Sequence, residues 1–280
     1  MIVCIVHGPG APQPVVERAQ HVLADRGFEC WTAGRDEANG SVASRLSKTD
    51  LILTLGGDGT FLAGARMAAP RGISILGVNL GRLGFLTELE EDQLESGLVR
   101  LLEGRYRIEE RTMLQVQLLR GERSVARTIG LNEVVVDRAE DARMLRVAIE
   151  VADQRVGVID ADGVIVATPT GSTAYALATG GPILEPNLRD LLLVPMNPFA
   201  LTVRPIVFPP GQDIVLSIVR GPAEMRVDGG RRGRAVATGD MIRVGSHPRR
   251  LQVVRFGPPE DFYRRLGEKL GWGRPLVPLK

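Results

Sequence analysis

The first hundred residues alternate between continuous apolar runs and stretches whose apolar positions recur at helical spacing. The runs at Ile2–His7, Leu51–Leu55 and 73–78 have the length and composition of buried strands. Helical spacing is found at 14–26 and again after the second run. Strands that alternate with helices are typical of βαβ units. The pattern therefore predicts an α/β domain with a parallel, Rossmann-like sheet over residues 1–105.

The pattern changes after residue 105. Short apolar runs then recur at the spacing of strands and turns, at 113–119, 127–136, 145–151, 163–168, 201–207 and 214–219. They predict a mainly β domain of the β-sandwich type over residues 106–255, with one helix near 173–178. We expect a last helix at about 259–280 to pack back on the first domain.

Composition restricts the class of protein. Hydrophobic residues make up 44% of the 280 positions, enough for a sizeable core, whereas aromatic residues make up only 4%. A formal net charge of +2 gives no reason to expect a nucleic-acid partner. We expect no membrane segment, because no apolar run approaches about 20 residues. We also expect no signal peptide, because the N-terminus has no charged n-region and reaches glycine and proline after a strand's length. The cysteines and histidines lack partners at metal-ligand spacing, so we expect no metal site made by the protein alone. The two cysteines lie in apolar runs, which is typical of free thiols in a reducing compartment, so we expect a cytoplasmic location.

A glycine-rich turn with the sequence Gly-Gly-Asp-Gly-Thr, at 56–60, joins a predicted strand to a predicted helix. Such a turn lets a phosphate approach the backbone and the helix N-terminus. Neither the dinucleotide-binding pattern nor the Walker pattern fits, because Leu62 occupies the third glycine position and no Lys-Ser/Thr pair follows. The aspartate, Asp58, would repel bare phosphate and suits a hydroxyl or a metal ion better. The alternative is a structural turn in which Asp58 bonds to its own backbone.

Two further polar segments lie in the predicted β domain. Asn132 and Glu133 precede an apolar strand, where an amide beside an acid could bind a ribose diol or an adenine, or could simply begin the strand. The segment 162–175 combines an aspartate, a strand, a Thr-Pro-Thr-Gly loop and a hydroxyl-rich helix start. Ser172 or Thr173 is a natural N-cap for that helix, and Tyr175 could stack on a base.

These segments together resemble the NAD kinase family. The resemblance rests on LGGDGT at 55–60, NLGRLGFLTEL at 79–89, LNE at 131–133 and DGVIVATPTGSTAYALATGGPIL at 162–184. It extends from about residue 50 to 230 and includes the Arg204-Pro205 and Asp228-Gly229 pairs. The resemblance implies phosphorylation of the 2′-hydroxyl of NAD's adenosine ribose to give NADP. It implies ATP or polyphosphate as donor, Mg²⁺ bound with that donor, and a homodimer or homotetramer. In this interpretation residues 1–105 bind nucleotide, and 106–255 bind NAD and form the oligomer.

The resemblance also implies roles for individual residues. Asp58 matches the family's general base, and Asp162 matches a ligand-binding carboxylate that often comes from a neighbouring subunit. Phosphate contacts would come from Gly56, Gly57 and Thr60. Substrate contacts would come from Gly59, Phe85, Asn132, Glu133, Arg143, Asp162, Thr173, Ala174 and Tyr175.

The sequence departs from the family pattern at several positions. Phe199 stands where a histidine is common, Ala178 where a serine is common, and Gly230 where a glutamine is common. None of these changes touches Asp58, so they bear on substrate affinity and discrimination. Two alternatives remain: a diacylglycerol-type lipid kinase, which shares the glycine-aspartate turn, and a non-catalytic protein that senses NAD or NADP.

Overall fold

A computed structural model describes residues 1–37, 42–81, 84–140, 143–230 and 233–271. The chain divides into two compact units. Unit 1 consists of residues 1–109 and 252–280, and unit 2 of residues 110–251. Residues 82 and 83 of the glycine-containing segment at 79–89 lie outside the described residues, as does the part of the predicted last helix beyond residue 271.

The strands and helices are numbered in chain order. The strands are β1 Ile2–His7, β2 Glu29–Gly34, β3 Leu51–Leu55, β4 Ser74–Asn79, β5 Leu89–Glu90, β6 Arg107–Arg111, β7 Leu114–Arg120, β8 Arg123–Gly130, β9 Glu133–Arg138, β10 Leu145–Val151, β11 Gln154–Ala161, β12 Gly163–Ala167, β13 Leu191–Met196, β14 Ile206–Phe208, β15 Ile214–Arg220, β16 Ala223–Val227, β17 Arg234–Val236, β18 Asp240–Ser246 and β19 Leu251–Arg255. The helices are α1 Gln13–Ala24, α2 Ala43–Leu46, α3 Asp58–Ala68, α4 Leu94–Leu102, α5 Tyr175–Ala178 and α6 Asp261–Leu270.

Unit 1 is an α/β domain with a mostly parallel sheet, as the sequence predicts. Its strand order is β2-β1-β3-β4-β19-β6, and β5 pairs with β4. β1 pairs in parallel with β2 and β3, and β4 pairs in parallel with β3 and β19. Every residue of β3 is buried, which a strand covered on both faces requires. Helix α1 turns Val15, Val16, Ala19 and Leu23 into this core.

Unit 2 contains two antiparallel sheets, which confirms the predicted fold class. The described strand orders are β11-β10-β15-β18-β7-β8 and β14-β13-β12-β9-β16-β17. One apolar core holds alternate residues of both sheets, and its members include Val116 on β7, Val147 on β10 and Val164 on β12. The far face of the second sheet is also covered, because Ile165 packs with Ala176 from the segment after β12.

Several details of the second domain differ from the sequence prediction. The run at 127–136 is two strands, β8 and β9, separated at residues 131 and 132. The strand predicted at 201–207 is wrong: a turn occupies its first half, and the strand β14 covers only Ile206–Phe208. The unpredicted strand β13 contains Pro195, a residue that ordinarily argues against a strand in the middle of a sheet.

Candidate functional site

The glycine turn in unit 1 leads directly from β3 into α3. Gly56 has a φ of 153°, and a Cβ atom there would lie 2.4 Å from the Thr60 hydroxyl oxygen, so the position requires glycine. The side chain of Thr60 is buried beneath the turn, whereas Gly57 and Gly59 are exposed. The turn therefore presents backbone, and no bulky side chain, at the N-terminus of an 11-residue helix.

Asp58, the first residue of α3, is fixed by a different loop. The backbone N–H of Phe85 donates to its Oδ2 at 3.2 Å, and that of Leu86 donates to its Oδ1 at 3.3 Å. A Cβ atom at Gly84 would lie 1.8 Å from Oδ1, so the loop approaches the carboxylate as closely as a glycine permits. Asp58 is half-buried. These two bonds go to residues 27 and 28 positions away, whereas the structural alternative would have required bonds to its own turn.

The C-terminal helix α6 adds a cation to this cluster. The Lys269 ammonium lies 4.7 Å from the centre of the Phe85 ring. Burial lowers the pKa of Lys269, the negative charge of Asp58 raises it, and nearby Arg265 lowers it further, with a lower pKa as the net result. Asp58, Phe85 and Lys269 therefore form one group at the start of α3.

Helix α6 is held to the same loop by buried ion pairs. Arg265 donates to the carbonyl oxygen of Thr87 at 2.8 Å and to Glu88 at 2.7 Å, and Glu88 also accepts from Arg255. Burial raises the pKa of Glu88. Three groups oppose that effect and together hold this pKa below its usual value: Arg255, the backbone N–H of Phe256 and Arg265. An ionised glutamate thus anchors α6 beside this loop.

In unit 2, the pair Asn132 and Glu133 lies at the start of β9 with unsatisfied polar atoms. Asn132 Oδ1 and Glu133 Oε2 are buried and, among the described residues, have no hydrogen-bond partner. Burial raises the pKa of Glu133 to about 7, the negative charge of Asp228 raises it too, and the backbone N–H of Tyr175 opposes them. Buried polar atoms usually have a hydrogen-bond partner, so both oxygens have the capacity to accept a bond from a water molecule or a ligand.

The segment 168–175 packs directly on this pair. Thr168 accepts a bond from the backbone N–H of Gly171 and donates to the Leu131 carbonyl oxygen at 2.6 Å. A Cβ atom at Gly171 would lie 2.0 Å from the carbonyl oxygen of Asn132. The structure therefore brings together Asn132, Glu133 and the predicted residues Thr173, Ala174 and Tyr175.

The predicted N-cap in this segment is wrong. Ser172 and Thr173 form a short 3-10 turn, Gly171–Thr173, and their hydroxyls donate back to the carbonyl oxygens of Pro169 and Thr170. The helix that follows, α5, has only four residues and no side-chain cap. Both hydroxyls are engaged in shaping the loop because their nearest acceptors are its own carbonyls. The Tyr175 side chain is exposed.

Asp162 lies apart from this group. It precedes β12, whose opposite end, Ala167, pairs with Glu133. Five residues of extended strand span about 17 Å, so Asp162 and Glu133 of one chain lie at opposite ends of β12. Asn197 and Arg138 donate to its two oxygens at 3.0 and 2.9 Å, and they hold the pKa of Asp162 below its usual value. Arg143, which is exposed, precedes β10.

Comparison with known proteins gives the same family for both units. The family model described as the ATP-NAD kinase N-terminal domain matches residues 14–106, and that described as the ATP-NAD kinase C-terminal domain matches residues 131–256. The NAD kinase of Heliobacterium modesticaldum is 46% identical over 232 residues, which are 82% of this chain and 81% of that protein. The chain belongs to the NAD kinase family.

Two solved structures have the same fold despite lower sequence identity. An NAD kinase from Archaeoglobus fulgidus in complex with ATP is 27% identical, with a TM-score of 0.77 over 98% of this chain and 100% of that one. Yeast NADH kinase complexed with NADH gives a TM-score of 0.89 over 100% of this chain and 90% of that one. Its identity of 23% supports the fold alone.

The departures from the NAD kinase pattern are on the surface of unit 2. Phe199 is 76% exposed and Leu201 is 84% exposed, and the backbone N–H of Phe199 donates to the carbonyl oxygen of Asp160. Ala178 is exposed at the end of α5. The position that would hold a histidine therefore presents an apolar ring close to Asp162.

Two residues that help to position the site, Asp228 and Lys269, were assigned no role from the sequence. Asp228 holds the Leu131–Asn132 backbone, and Lys269 lies against Phe85. The Asp228-Gly229 pair is a signal in the sequence, because aspartate and glycine are residue types that tolerate the positive φ of a tight turn. The structure gives them φ values of 50° and 64°. Lysine was a weaker signal: it occurs only at positions 48, 269 and 280, although the chain has 35 basic residues.

The described residues offer no metal site of their own. In the part of the chain that the structure covers, no three His, Cys, Asp or Glu side chains come together to hold a metal ion. A separate finding is that no helix among these residues is long and apolar enough to span a membrane. A carboxylate and a glycine turn at a helix N-terminus nevertheless fit a divalent ion that is held mainly by phosphate oxygens.

Proposed function

We propose that the protein is an NAD kinase that transfers the γ-phosphoryl group of ATP to the 2′-hydroxyl of NAD's adenosine ribose. The observation that carries the proposal is the position of Asp58, whose carboxylate is fixed by the N–H groups of Phe85 and Leu86 at the N-terminus of α3. Phosphoryl transfer needs a positioned proton acceptor and a site that tolerates phosphate, and this cluster offers both.

In the proposed reaction, Asp58 accepts the proton of the 2′-hydroxyl as its oxygen attacks the γ-phosphorus of ATP. A new bond forms between the 2′-oxygen and that phosphorus, and the bond to the bridging β–γ oxygen breaks. The products are NADP and ADP, and Asp58 later releases its proton to solvent. The exposed backbone of Gly57 and Gly59, with Gly56 and Thr60 shaping the turn, binds phosphate at the start of α3. Mg²⁺ bound with the donor phosphates would supply charge neutralisation.

Unit 2 supplies the groups that we propose bind NAD. The unsatisfied oxygens of Asn132 and Glu133 accept hydrogen bonds from ligand hydroxyl or amide groups. Tyr175 offers an exposed ring for stacking, with Thr173 and Ala174 forming the loop beside it. In unit 1, Phe85 offers a ring beside Asp58. Arg143, an exposed cation that precedes β10, completes the proposed substrate contacts.

The exposed apolar surface around Asp162 supports a homodimer or homotetramer. Asp162 is about a strand length from Glu133 in the same chain, so it would reach an NAD site only as a residue contributed to a neighbouring subunit. Phe199 and Leu201, exposed at 76% and 84%, provide apolar surface that an interface would cover.

The free cysteines Cys4 and Cys30 suit the reducing cytoplasm, where we propose that the protein acts.

The test is an assay of the purified full chain with NAD, MgCl₂ and either ATP or polyphosphate, with NADP measured by chromatography. We expect NADP with ATP, and none when Mg²⁺ is removed with EDTA. Parallel samples contain diacylglycerol micelles in place of NAD. A phosphorylated lipid without NADP would favour the lipid kinase alternative. Tight NAD binding without any product would favour the sensor alternative.

A further inference from the structure

The group formed by Asp58, Phe85 and Lys269 contains one cation, the Lys269 ammonium, that has no role in the phosphoryl transfer proposed above. Lys269 lies on α6, a helix remote in sequence from the glycine turn, yet its ammonium faces the Phe85 ring at 4.7 Å. The backbone of the same Phe85 donates to Asp58. Lys269 and Asp58 thus both contact Phe85, Lys269 through the ring and Asp58 through the backbone N–H.

We propose that Lys269 binds the 2′-phosphate of NADP, and the phosphoryl group as it arrives at that oxygen. The inference rests on the proposed function, in which Asp58 contacts the 2′-hydroxyl. The phosphoryl group is delivered to the oxygen that Asp58 contacts, so it must come within a few ångströms of the carboxylate. A cation beside Asp58 is therefore a cation beside the 2′-phosphate.

Charge is the reason that such a cation is needed. The product places a phosphate of about two negative charges beside Asp58, and like charges at that distance repel. The Lys269 ammonium offsets this repulsion. Its attraction to the phosphate develops only as the phosphoryl group arrives at the 2′-oxygen. That is the behaviour of a group that favours the transition state and the product over bound NAD.

The surroundings of Lys269 hold it in place for this role. One turn earlier on α6, Arg265 is bound to Thr87 and Glu88, which fixes the helix against the loop that follows Phe85. The partial burial that lowers the pKa of Lys269 also removes water from its ammonium. A partly desolvated point charge binds a phosphate oxygen more strongly than a fully hydrated one does.

The choice of lysine also supports the inference. The basic residues of this chain are otherwise almost all arginine, since lysine occurs only at positions 48, 269 and 280. Arginine is a wide planar fork, whereas lysine is a compact point charge on a flexible stem, which suits a narrow site over an aromatic ring. A surface role would not require that difference.

The experiment compares the binding of NAD and NADP to the full chain by calorimetry, without ATP and without Mg²⁺. Lys269→Met keeps the aliphatic stem and removes the charge. We expect its Kd for NADP to rise about tenfold or more and its Kd for NAD to stay within about twofold. Lys269→Arg should retain most of the preference for NADP. Lys48→Met, which removes an exposed lysine of the same unit, is the matched control and should bind as the wild type does.

The same variants are assayed for turnover. We expect kcat of Lys269→Met to fall by about tenfold or more while KM for NAD changes by less than about threefold. Equal weakening of NAD and NADP binding, or no change in either, would overturn the inference. If the wild type binds both dinucleotides but makes no NADP, the proposed function fails, and the NAD-to-NADP comparison still decides the role of Lys269.

Discussion

Asp228 holds the backbone of Asn132: its Oδ1 accepts the Asn132 N–H at 2.8 Å, and its Oδ2 accepts the neighbouring Leu131 N–H at 3.0 Å. Asp228 itself sits in a turn with a φ of 50°. A buried carboxylate that accepts two backbone N–H groups fixes the start of β9. The pair that we propose binds NAD is therefore positioned from a residue 96 places later in the chain.

Replacing Asp228 by asparagine should loosen that pair. The amide nitrogen would face one of the two N–H groups, so one buried donor would lose its acceptor. We predict a loss of about 1–3 kcal/mol in the free energy of unfolding and a Kd for NAD that rises by about tenfold or more. Urea unfolding and calorimetry measure the two effects. Asp153→Asn, at an exposed turn with a φ of 61°, is the control and should change neither.

Glu133 should make the stability of the protein depend on pH. Its pKa of about 7 in the folded state is above the unfolded value of 4.5, so the folded state binds the proton more tightly. The stability linked to this proton is fully present below about pH 4.5 and is lost as the pH rises through about 7. We predict that the wild type, relative to Glu133→Gln, loses on the order of 3 kcal/mol between about pH 4.5 and about pH 8.5.

Urea unfolding of both proteins at closely spaced pH values measures that difference. Comparison with Glu133→Gln removes the contributions of all other titrating groups. A difference that is constant across the range would show that Glu133 titrates at an ordinary pKa. A difference that changes in the opposite direction would mean that the folded state favours the ionised form.

Gly84→Ala should disable Asp58 while leaving the fold intact. The added methyl group would lie 1.8 Å from Asp58 Oδ1, so either the carboxylate or the loop must move. We predict a fall in kcat of about 100-fold, because a displacement of about 1 Å is enough to misplace a catalytic group. Gly81→Ala is the control from the same loop, since a Cβ atom there meets nothing within 4 Å. Equal activity of the two variants would contradict the placement of Asp58 against this loop.

Mixing two inactive variants tests whether Asp162 serves a neighbouring subunit. Asn132→Ala and Asp162→Ala should each have low activity. After unfolding and refolding together, half of the dimers are mixed, and each mixed dimer has one intact site. We predict about 25% of the wild-type activity in the mixture. Activity no higher than that of the separate variants would place Asp162 in the site of its own chain.

The exposed apolar residues near Asp162 should control the oligomer. Phe199→Ser combined with Leu201→Ser removes the apolar side chains without changing the charge. We predict that sedimentation shows a smaller species than the wild type at the same concentration, because the interface loses its apolar area. Val125→Ser removes an exposed apolar residue elsewhere on unit 2 and should leave the sedimentation unchanged.

The sequence predicted the fold where local patterns and burial agree. The apolar run at β3, followed by a glycine turn and a helix, indicated the parallel α/β domain correctly. The apolar residues at 201–205 predict a strand, whereas the structure has a turn and loop there. Leu201 is exposed, as is Phe199 just before it. Periodicity cannot tell an exposed apolar surface from a core.

The contacts that build the site lie beyond sequence patterns. Asp58 was found through its glycine turn, but the loop that holds it, the helix that carries Lys269 and the Asp228 carboxylate come from distant parts of the chain. Spacing within a motif carries no information on such pairings, which arise only when the chain folds. The roles of the predicted site residues remain predictions.

The central claim is that Asp58 accepts the proton of NAD's 2′-hydroxyl, and the most direct test is Asp58→Asn in paired binding and turnover measurements. The asparagine keeps the size of the side chain and can still accept one of the two backbone N–H groups. We predict that Kd for NAD stays within about threefold of the wild type while NADP formation from NAD and ATP falls by at least about 100-fold. NADP formation at near the wild-type rate by Asp58→Asn would contradict the claim.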